Sequence, residues 1–410
     1  MAIFLGAKGG DIVATQSASR LLTAVREKVA GKMAYLLAGE DAELLRNLRL
    51  RVGDELAFEE DFSHRLDLQL QEFAQVEYAD QLAGACIRFT LLTKEYFTRR
   101  SSVIAFHGLC ATFHDLLFRK ALVLAQTGAG TMYPDDIPCC LLATGSAGRK
   151  EFMPGTDSRY FLVYPDSQVH HAGYFEEMRY RLIALLDQCG IFGAGHRPID
   201  DGGLWKGSES EWRSWSSSQM QRIGKLGEIL AVLGDLRGIA GDETLAAGLK
   251  TISSELLAKE QGKDLYGQAA RKLSSMPVAL GMFGNFKTLR SGEHRGMFNL
   301  DEAVLNPLLI NVRILAVHHS LVETGTVERI KGLVNAGHLG VDLADRLLKA
   351  YHLFAGYRIK QSMEAEDYKV KELYLNPDEL GEEEAFLFKS GLEAVINLQK
   401  IVYQVFSEQG

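Results

Sequence analysis

The residues with the most chemical promise lie between positions 141 and 164, in the run LLATGSAGRKEFMPGTDSRYFLVY. Gly145 lets backbone approach a ligand closely, and the Ser146 hydroxyl can donate to a phosphate oxygen. A helix starting here adds free N–H groups and positive potential. Arg149 and Lys150 bring mobile positive charge to the same place, and Asp157 offers a carboxylate that can hold Mg²⁺ against phosphates. Together these residue types make a phosphate site. A plainer reading also fits them: a tight strand-to-helix turn, with Arg149 paired to Glu151 or another carboxylate and Asp157 capping a turn.

The elements that must position these residues can be read from the pattern around them. Residues 139–144 are a short continuous apolar run, as in a buried strand, and residues 157–164 have strand character, rich in aromatics and valine. A turn at 153–156 joins them. Residues 173–189 read as helix, and 190–203, with five glycines, as turns with a short strand at 196–199. No proline precedes Pro134, whereas Pro134, Pro138, Pro154 and Pro165 cluster around the candidate site. Proline is excluded from helix interiors, so residues 13–100 and 102–124 are expected to be helices, Leu44, Leu45, Leu48 and Val52 marking one apolar face. The alternating run Leu66, Leu68, Leu70 is read as helix from its flanks, and Glu59, Glu60, Asp61 as a solvated turn. From residue 208 onward the chain reads as helical. The clearest elements are 226–236, 245–256, 305–322, 341–360 and 385–406, the last with Leu387, Ala394, Leu398, Ile401 and Val405 on its apolar face.

Composition narrows the function classes. With 47% apolar and 24% charged residues, 410 residues suit a soluble globular protein with two or three cores, not a disordered chain. The net charge of −8 gives no general attraction to nucleic acid. Five cysteines without a CxxC pair suit a reducing cytoplasm rather than a disulfide framework or a structural zinc site. No apolar run approaches the roughly 20 residues of a membrane span, and the opening MAIFLGAKGG lacks the basic region of a signal peptide.

The pattern G-S-x-G-R-x-E, a short turn, then [S/T]-D-x-D resembles the nucleotidyltransferase superfamily of the DNA polymerase β type. Within it the chain is similar to PII-protein uridylyltransferases, and more so to signal-transduction nucleotidyltransferases that usually carry cyclic-nucleotide-binding and CBS modules. Gly145, Ser146, Gly148, Arg149, Glu151, Thr156 and Asp157 match as they stand. The likeness continues upstream in LCATFHDLLFRKALVLAQTGAG. Downstream it includes Trp205 and Trp212 with ILAVLGDLRGIAGDETLA, then FNLDEAVLNPLLINVRILAV, TVERIKGLVNAGHLG, AYHLFAGYRIKQ and LNPDELGEEEAFLFKSGLEAVINLQ, so that it covers roughly residues 105–406. It implies transfer of a nucleoside monophosphate from Mg-NTP to a protein hydroxyl. Gly145, Ser146 and Gly148 would hold the triphosphate, Arg149 and Lys150 would neutralise it, and Asp157 would bind Mg²⁺.

One position departs from the pattern. The family places a second carboxylate two residues after Asp157, on the same strand face, where both share metal ions. Here that residue is Arg159, which cannot ligate a metal and stays charged. Arg159 has three readings: it binds the triphosphate in place of a metal, it pairs with Asp157 and closes the site, or it is a relic of lost activity. Asp200 or Asp201 would supply a third carboxylate, while Asp166 lies at the far end of the strand. Asp235 and Arg237 suit either the nucleotide cleft or an ion pair between elements. Trp205, Trp212 and Trp215 read as a packed corner sooner than as base-stacking platforms. His107 and His114, on one face of an apolar helix, read as satisfied core residues.

These readings give an α+β, predominantly α protein. Its expected parts are a helical region at 1–104, a small mixed-sheet nucleotidyltransferase-like domain at 105–204 and a C-terminal helical bundle at 205–410 that binds substrate. The expected ligands are an NTP, with Mg²⁺ if the protein is an active transferase, and a protein acceptor or regulatory partner. Nucleic acid and membrane are not expected. The helices before residue 105 offer a partner or homodimer surface. The alternative to a transferase is a catalytically inactive nucleotide-binding or scaffold protein.

Overall fold

Among the described residues, the proline-free stretch forms α1 (Glu40–Ala74), α2 (Ala79–Arg100) and α3 (Val103–Thr127). The computed structural model describes residues 40–127, 137–153, 156, 158–191, 204–220, 226–261, 264–364 and 374–407. Asp157, Asp200, Asp201 and the strand expected at 196–199 therefore lie outside the described residues. The Leu66–Leu68–Leu70 run is helical, as its flanks suggested. The acidic triplet is not a turn: Glu59, Glu60 and Asp61 lie within α1, Glu59 is buried, and Asp61 pairs with Arg65 one helical turn later at 2.8 Å. Pairing at i,i+4 lets carboxylates sit inside a helix. The chain divides into two units, residues 1–76 and residues 77–410.

In the second unit, β1 (Cys140–Thr144) is the strand that the unbroken apolar run predicts, and every residue in it is buried. β2 (Ser158–Tyr164) lies antiparallel to β1, placing Leu142 opposite Phe161 and Thr144 opposite Arg159. β3 (Leu204–Ser208) runs parallel to β2, across the helix α4 (Ala172–Gln188). β4 (Arg237–Gly241) pairs antiparallel with β1 and completes the order β3-β2-β1-β4. β4 departs from the expectation of helix from residue 208, and β3 fills the interval between the turns expected up to residue 203 and that helix. Arg-Gly-Ile-Ala-Gly has no strand pattern of its own and becomes a strand through its ladder to β1.

One sheet face is covered by α3 and α4. Tyr160 stacks on Phe118 with ring centroids 4.5 Å apart, and Tyr164 stacks on Phe175 at 4.0 Å. The opposite face meets α5 (Glu209–Met220), α6 (Leu226–Gly234) and α7 (Glu243–Gln261). There Trp212 is fully buried, 4.8 Å from Phe161 and 5.3 Å from Trp215, and Trp205 completes the packed corner.

This core continues without a break into the C-terminal helices. They are α8 (Asp264–Ser274), α9 (Asn306–His318), α10 (Thr326–Asn335), α11 (Val341–Glu364) and α12 (Glu382–Ser407). The buried stripe of α12 runs through Phe388, Leu392, Val395, Leu398, Val402 and Phe406. Of the expected face, Ala394 and Leu398 are buried and Ile401 and Val405 pack on the core, but Leu387 faces outward and Phe388 packs against Phe354 and Tyr357 in its place. A larger ring in a closed site removes more apolar surface from water, at about 25 cal/mol per Å². Two-residue strands β5 (Phe298–Asn299) and β6 (Tyr374–Leu375) pair at the edge of this bundle. The whole is α+β and mostly helical, as expected.

Candidate functional site

The loop after β1 is built by backbone conformation. Gly145 takes φ +66°, a left-handed value that glycine adopts without steric cost, and one helical turn follows, Gly145–Gly148. Lys150 then takes φ +60°. Glu151 N–H donates to Ser146 O at 2.8 Å and Lys150 N–H to Ala147 O at 3.2 Å, the hydrogen-bond pattern that closes a helix C-terminus. The expected helix with an anion-binding N-terminus is therefore a single closed turn. The Ala147 N–H donates to Ser158 Oγ at 3.1 Å. Ser146 Oγ lies 2.7 Å from Thr156 Oγ1 and 2.8 Å from Ser158 Oγ, so three hydroxyls tie the loop to the start of β2. Lys150 is exposed beside them.

Arg149 turns inward. Its Nε donates to Glu151 at 2.6 Å, and Nη1 donates to Asp235 at 2.9 Å. Asp235 is fully buried and is shared by two more arginines. Arg313 donates to it through Nε at 3.0 Å and Nη2 at 2.6 Å, and Arg329 through Nη1 at 2.7 Å. Glu151 also accepts the Thr326 N–H at the start of α10, at 2.8 Å, and Thr324 Oγ1 donates to Gly148 O at 2.8 Å. The loop is thereby fastened to the C-terminal helices. Gly148 is what allows this approach: a Cβ there would stand 2.0 Å from Asp235 O.

Arg237 forms a second anchor, bidentate to Asp115 at 2.6 and 2.9 Å, with a further bond to Ala147 O at 2.8 Å. Of the two readings of Asp235 and Arg237, the ion pair is the one the side chains make. Sequence reasoning missed Asp115, Arg313 and Arg329. A signal for Arg313 was present in NPLLINVRILAVH: a cation on a helix apolar all round must find a carboxylate.

The buried histidines follow the satisfied-core reading. His107 Nδ1 lies 3.2 Å from the Tyr351 hydroxyl, and His114 Nε2 lies 3.0 Å from the Tyr160 hydroxyl. Burial lowers the His107 imidazole to about 4, so it is neutral at pH 7.

The anchors impose an acid limit on stability. Burial alone would raise the Asp235 carboxyl, but Arg313, Arg329 and Arg149 outweigh it and hold the group at about 2. Burial likewise opposes Asp115, which hydrogen bonds from His114 and Arg237 bring to about 2. A carboxyl whose folded value is depressed stabilises the fold above its unfolded value and loses that contribution as pH falls through the folded one. Each contributes on the order of 2 kcal/mol. Urea unfolding is expected to show stability dropping between the ordinary carboxylate value of 3.8 and about 2. Asp115→Asn is expected to flatten its share of that drop; a profile superimposable on the unmodified protein would refute the assignment.

Arg159 is the second residue of β2, opposite Thr144 at the end of β1. Its guanidinium is about half exposed and stands 3.6 Å from Glu228 of α6, which is equally exposed. Trp215, Gln219, Ile229, Val232 and Leu233 line the small cleft around this pair. The structure thus separates the three expected cations: Arg149 is buried in ion pairs, Lys150 is in solvent, and Arg159 faces Glu228. Among the described residues no group of three or more His, Cys, Asp or Glu could hold a metal ion. The expected metal ligands Asp157 and Asp200 lie outside the described residues, and the described carboxylate nearest Arg159 is Glu228.

Comparison with known families agrees with this architecture. Residues 87–225 match a family model described as "Putative nucleotidyltransferase DUF294", and residues 263–406 match one described as "Putative nucleotidyltransferase substrate binding domain". No curated protein matches the chain. Between them the two family matches take in more than half of the 410 residues. The two matches support a nucleotidyltransferase-type family for this chain, with the region matched to its substrate-binding domain following the first.

Proposed function

We propose that this chain is a nucleotide-binding member of its family in which transfer of a nucleoside monophosphate from Mg-NTP is impaired. On this reading it acts as a regulatory or scaffold protein in bacterial signalling, the setting that its likeness to PII-protein uridylyltransferases implies. The observation that carries the proposal is Arg159. It occupies the strand position at which the resemblance requires a second metal-binding carboxylate, and its half-exposed guanidinium stands 3.6 Å from Glu228 beside a small cleft. A cation at this position repels the second Mg²⁺ and can meet triphosphate oxygens itself. Gly145, Ser146 and Lys150 remain the loop side of the nucleotide site.

A second reading, an active transferase with a protein hydroxyl as acceptor, is favoured by one feature of the sequence: Asp157 is retained, and Asp200 is available to join it in holding Mg²⁺. Calorimetric titration with each NTP, with and without Mg²⁺ or Mn²⁺, separates the readings, together with a pyrophosphate-release assay. The expected result is nucleotide binding without turnover. Arg159→Asp is expected to make binding metal-dependent and about tenfold tighter. Pyrophosphate release that Asp157→Ala abolishes would establish the second reading. Absence of nucleotide binding with or without metal would refute both.

A further inference from the structure

Between α8 and β5 a short hairpin projects from the C-terminal domain. Lys287 N–H donates to Ala279 O at 3.1 Å, Gly281 N–H to Asn285 O at 2.8 Å, and Gly284 N–H to Gly281 O at 3.1 Å, with Leu280 bridged to Phe286. The base is anchored: Phe286 packs on Phe298 with ring centroids 5.6 Å apart, and Lys389 Nζ lies 5.1 Å over its face. The tip is Met282 and Phe283, which are 98% and 91% exposed. Two large apolar side chains held almost entirely in water by an ordered turn are a costly arrangement, and such exposure marks an interaction site.

The surroundings indicate what covers them. Residues 281–297 carry Lys287, Arg290 and Arg295, all exposed, against the single carboxylate of Glu293, in a chain whose net charge is −8. Lys287 belongs to the hairpin, and Arg290 and Arg295 to the loop that follows it, closed by Leu289 N–H to Met297 O at 2.8 Å; this stretch is basic on an acidic protein and suits an anionic surface. A stable protein interface needs about 800 Å² from each partner, with an apolar centre. Two side chains at a tip offer only about 400 Å² of such area. A bilayer needs no shape-matched pocket: apolar groups enter at the boundary between headgroups and acyl chains, and cations meet the phosphates.

We propose that the Met282–Phe283 hairpin docks the protein on an anionic lipid surface, inserting these two side chains and placing Lys287, Arg290 and Arg295 on the headgroups. The proposal stands apart from the nucleotide reading. It departs from the expectation of no membrane partner, which rested on the absence of a spanning segment; among the described residues no helix is long and apolar enough to cross a membrane, and docking does not require one.

Flotation of the full chain with vesicles of phosphatidylcholine alone, or mixed with phosphatidylglycerol, tests it. Binding is expected only to the mixed vesicles, at ~0.1 M salt, and is expected to be lost at ~1 M. M282S/F283S is expected to weaken it about tenfold or more, and K287E/R290E comparably, both variants keeping the circular dichroism and thermal midpoint of the parent. In F283W the new indole emission is expected to shift to the blue on adding mixed vesicles. Failure to float at low salt, flotation indifferent to M282S/F283S, or an F283W emission unmoved by vesicles would each overturn the proposal. Capture of a protein by a photocrosslinker at position 283, without flotation, would also do so.

Discussion

Asp235→Asn is expected to destabilise the protein by about 3–5 kcal/mol, the cost of removing one member of a buried ion pair, and to lower the thermal midpoint by roughly 10 °C. The size follows from the local charge. Asp235 is wholly buried, and Arg149, Arg313 and Arg329 all donate to it. Without its charge, three guanidinium groups share an interior in which Glu151 is the remaining partner of Arg149. Each unpaired cation there loses hydration without Coulombic return. Differential scanning fluorimetry of the full chain measures the shift. A fall of less than about 2 °C would mean that the cluster does not hold the loop to the helices.

Gly148→Ala is expected to have an effect of comparable size by a different route. The added methyl would lie 2.0 Å from Asp235 O and 3.0 Å from Ala143 O. Both atoms belong to backbone, so neither can swing aside, and the loop must retract. Overpacking alone costs about 1–3 kcal/mol, and retraction also weakens the bonds from Arg149 to Asp235 and from Thr324 to Gly148 O. Hydrogen exchange reads this directly: the Thr326 amide, which donates to Glu151, is expected to lose protection. Gly108→Ala is the control, since a Cβ there meets nothing within 4 Å in the interior of α3, and it is expected to be neutral or stabilising by up to about 1 kcal/mol. Equal effects from the two substitutions would remove steric approach as the explanation for Gly148.

Local pattern accounts for much of the fold. The periodic segments that became α3, α11 and α12 were readable because burial of one helix face repeats every three or four residues. β1 was readable because a strand covered on both sides is apolar throughout. In α12 only the first position was misread, Phe388 taking the place expected for Leu387. Leu387 and Phe388 are both apolar, and only the pocket formed by Phe354 and Tyr357 distinguishes them. β4 was missed for a related reason: two glycines in five residues carry no strand signal, and the pairing partner is β1, about a hundred residues earlier.

At the candidate site the division is sharper. From sequence alone came the strand, the glycine-serine turn, the proximity of three cations and the arginine at a carboxylate's place. These depend on residue type and near-neighbour spacing, which the linear order states. Which cation serves which purpose was decided by tertiary structure. Arg149 meets Asp235 from 86 positions away, and Arg313 and Arg329 reach the same carboxylate from α9 and α10. Arg159 meets Glu228 on α6, 69 positions away in the chain. A charged side chain has no fixed function until its counter-ion and its exposure are known. Both depend on packing between segments far apart in the chain, where Coulomb energy varies with separation and burial, not with sequence distance.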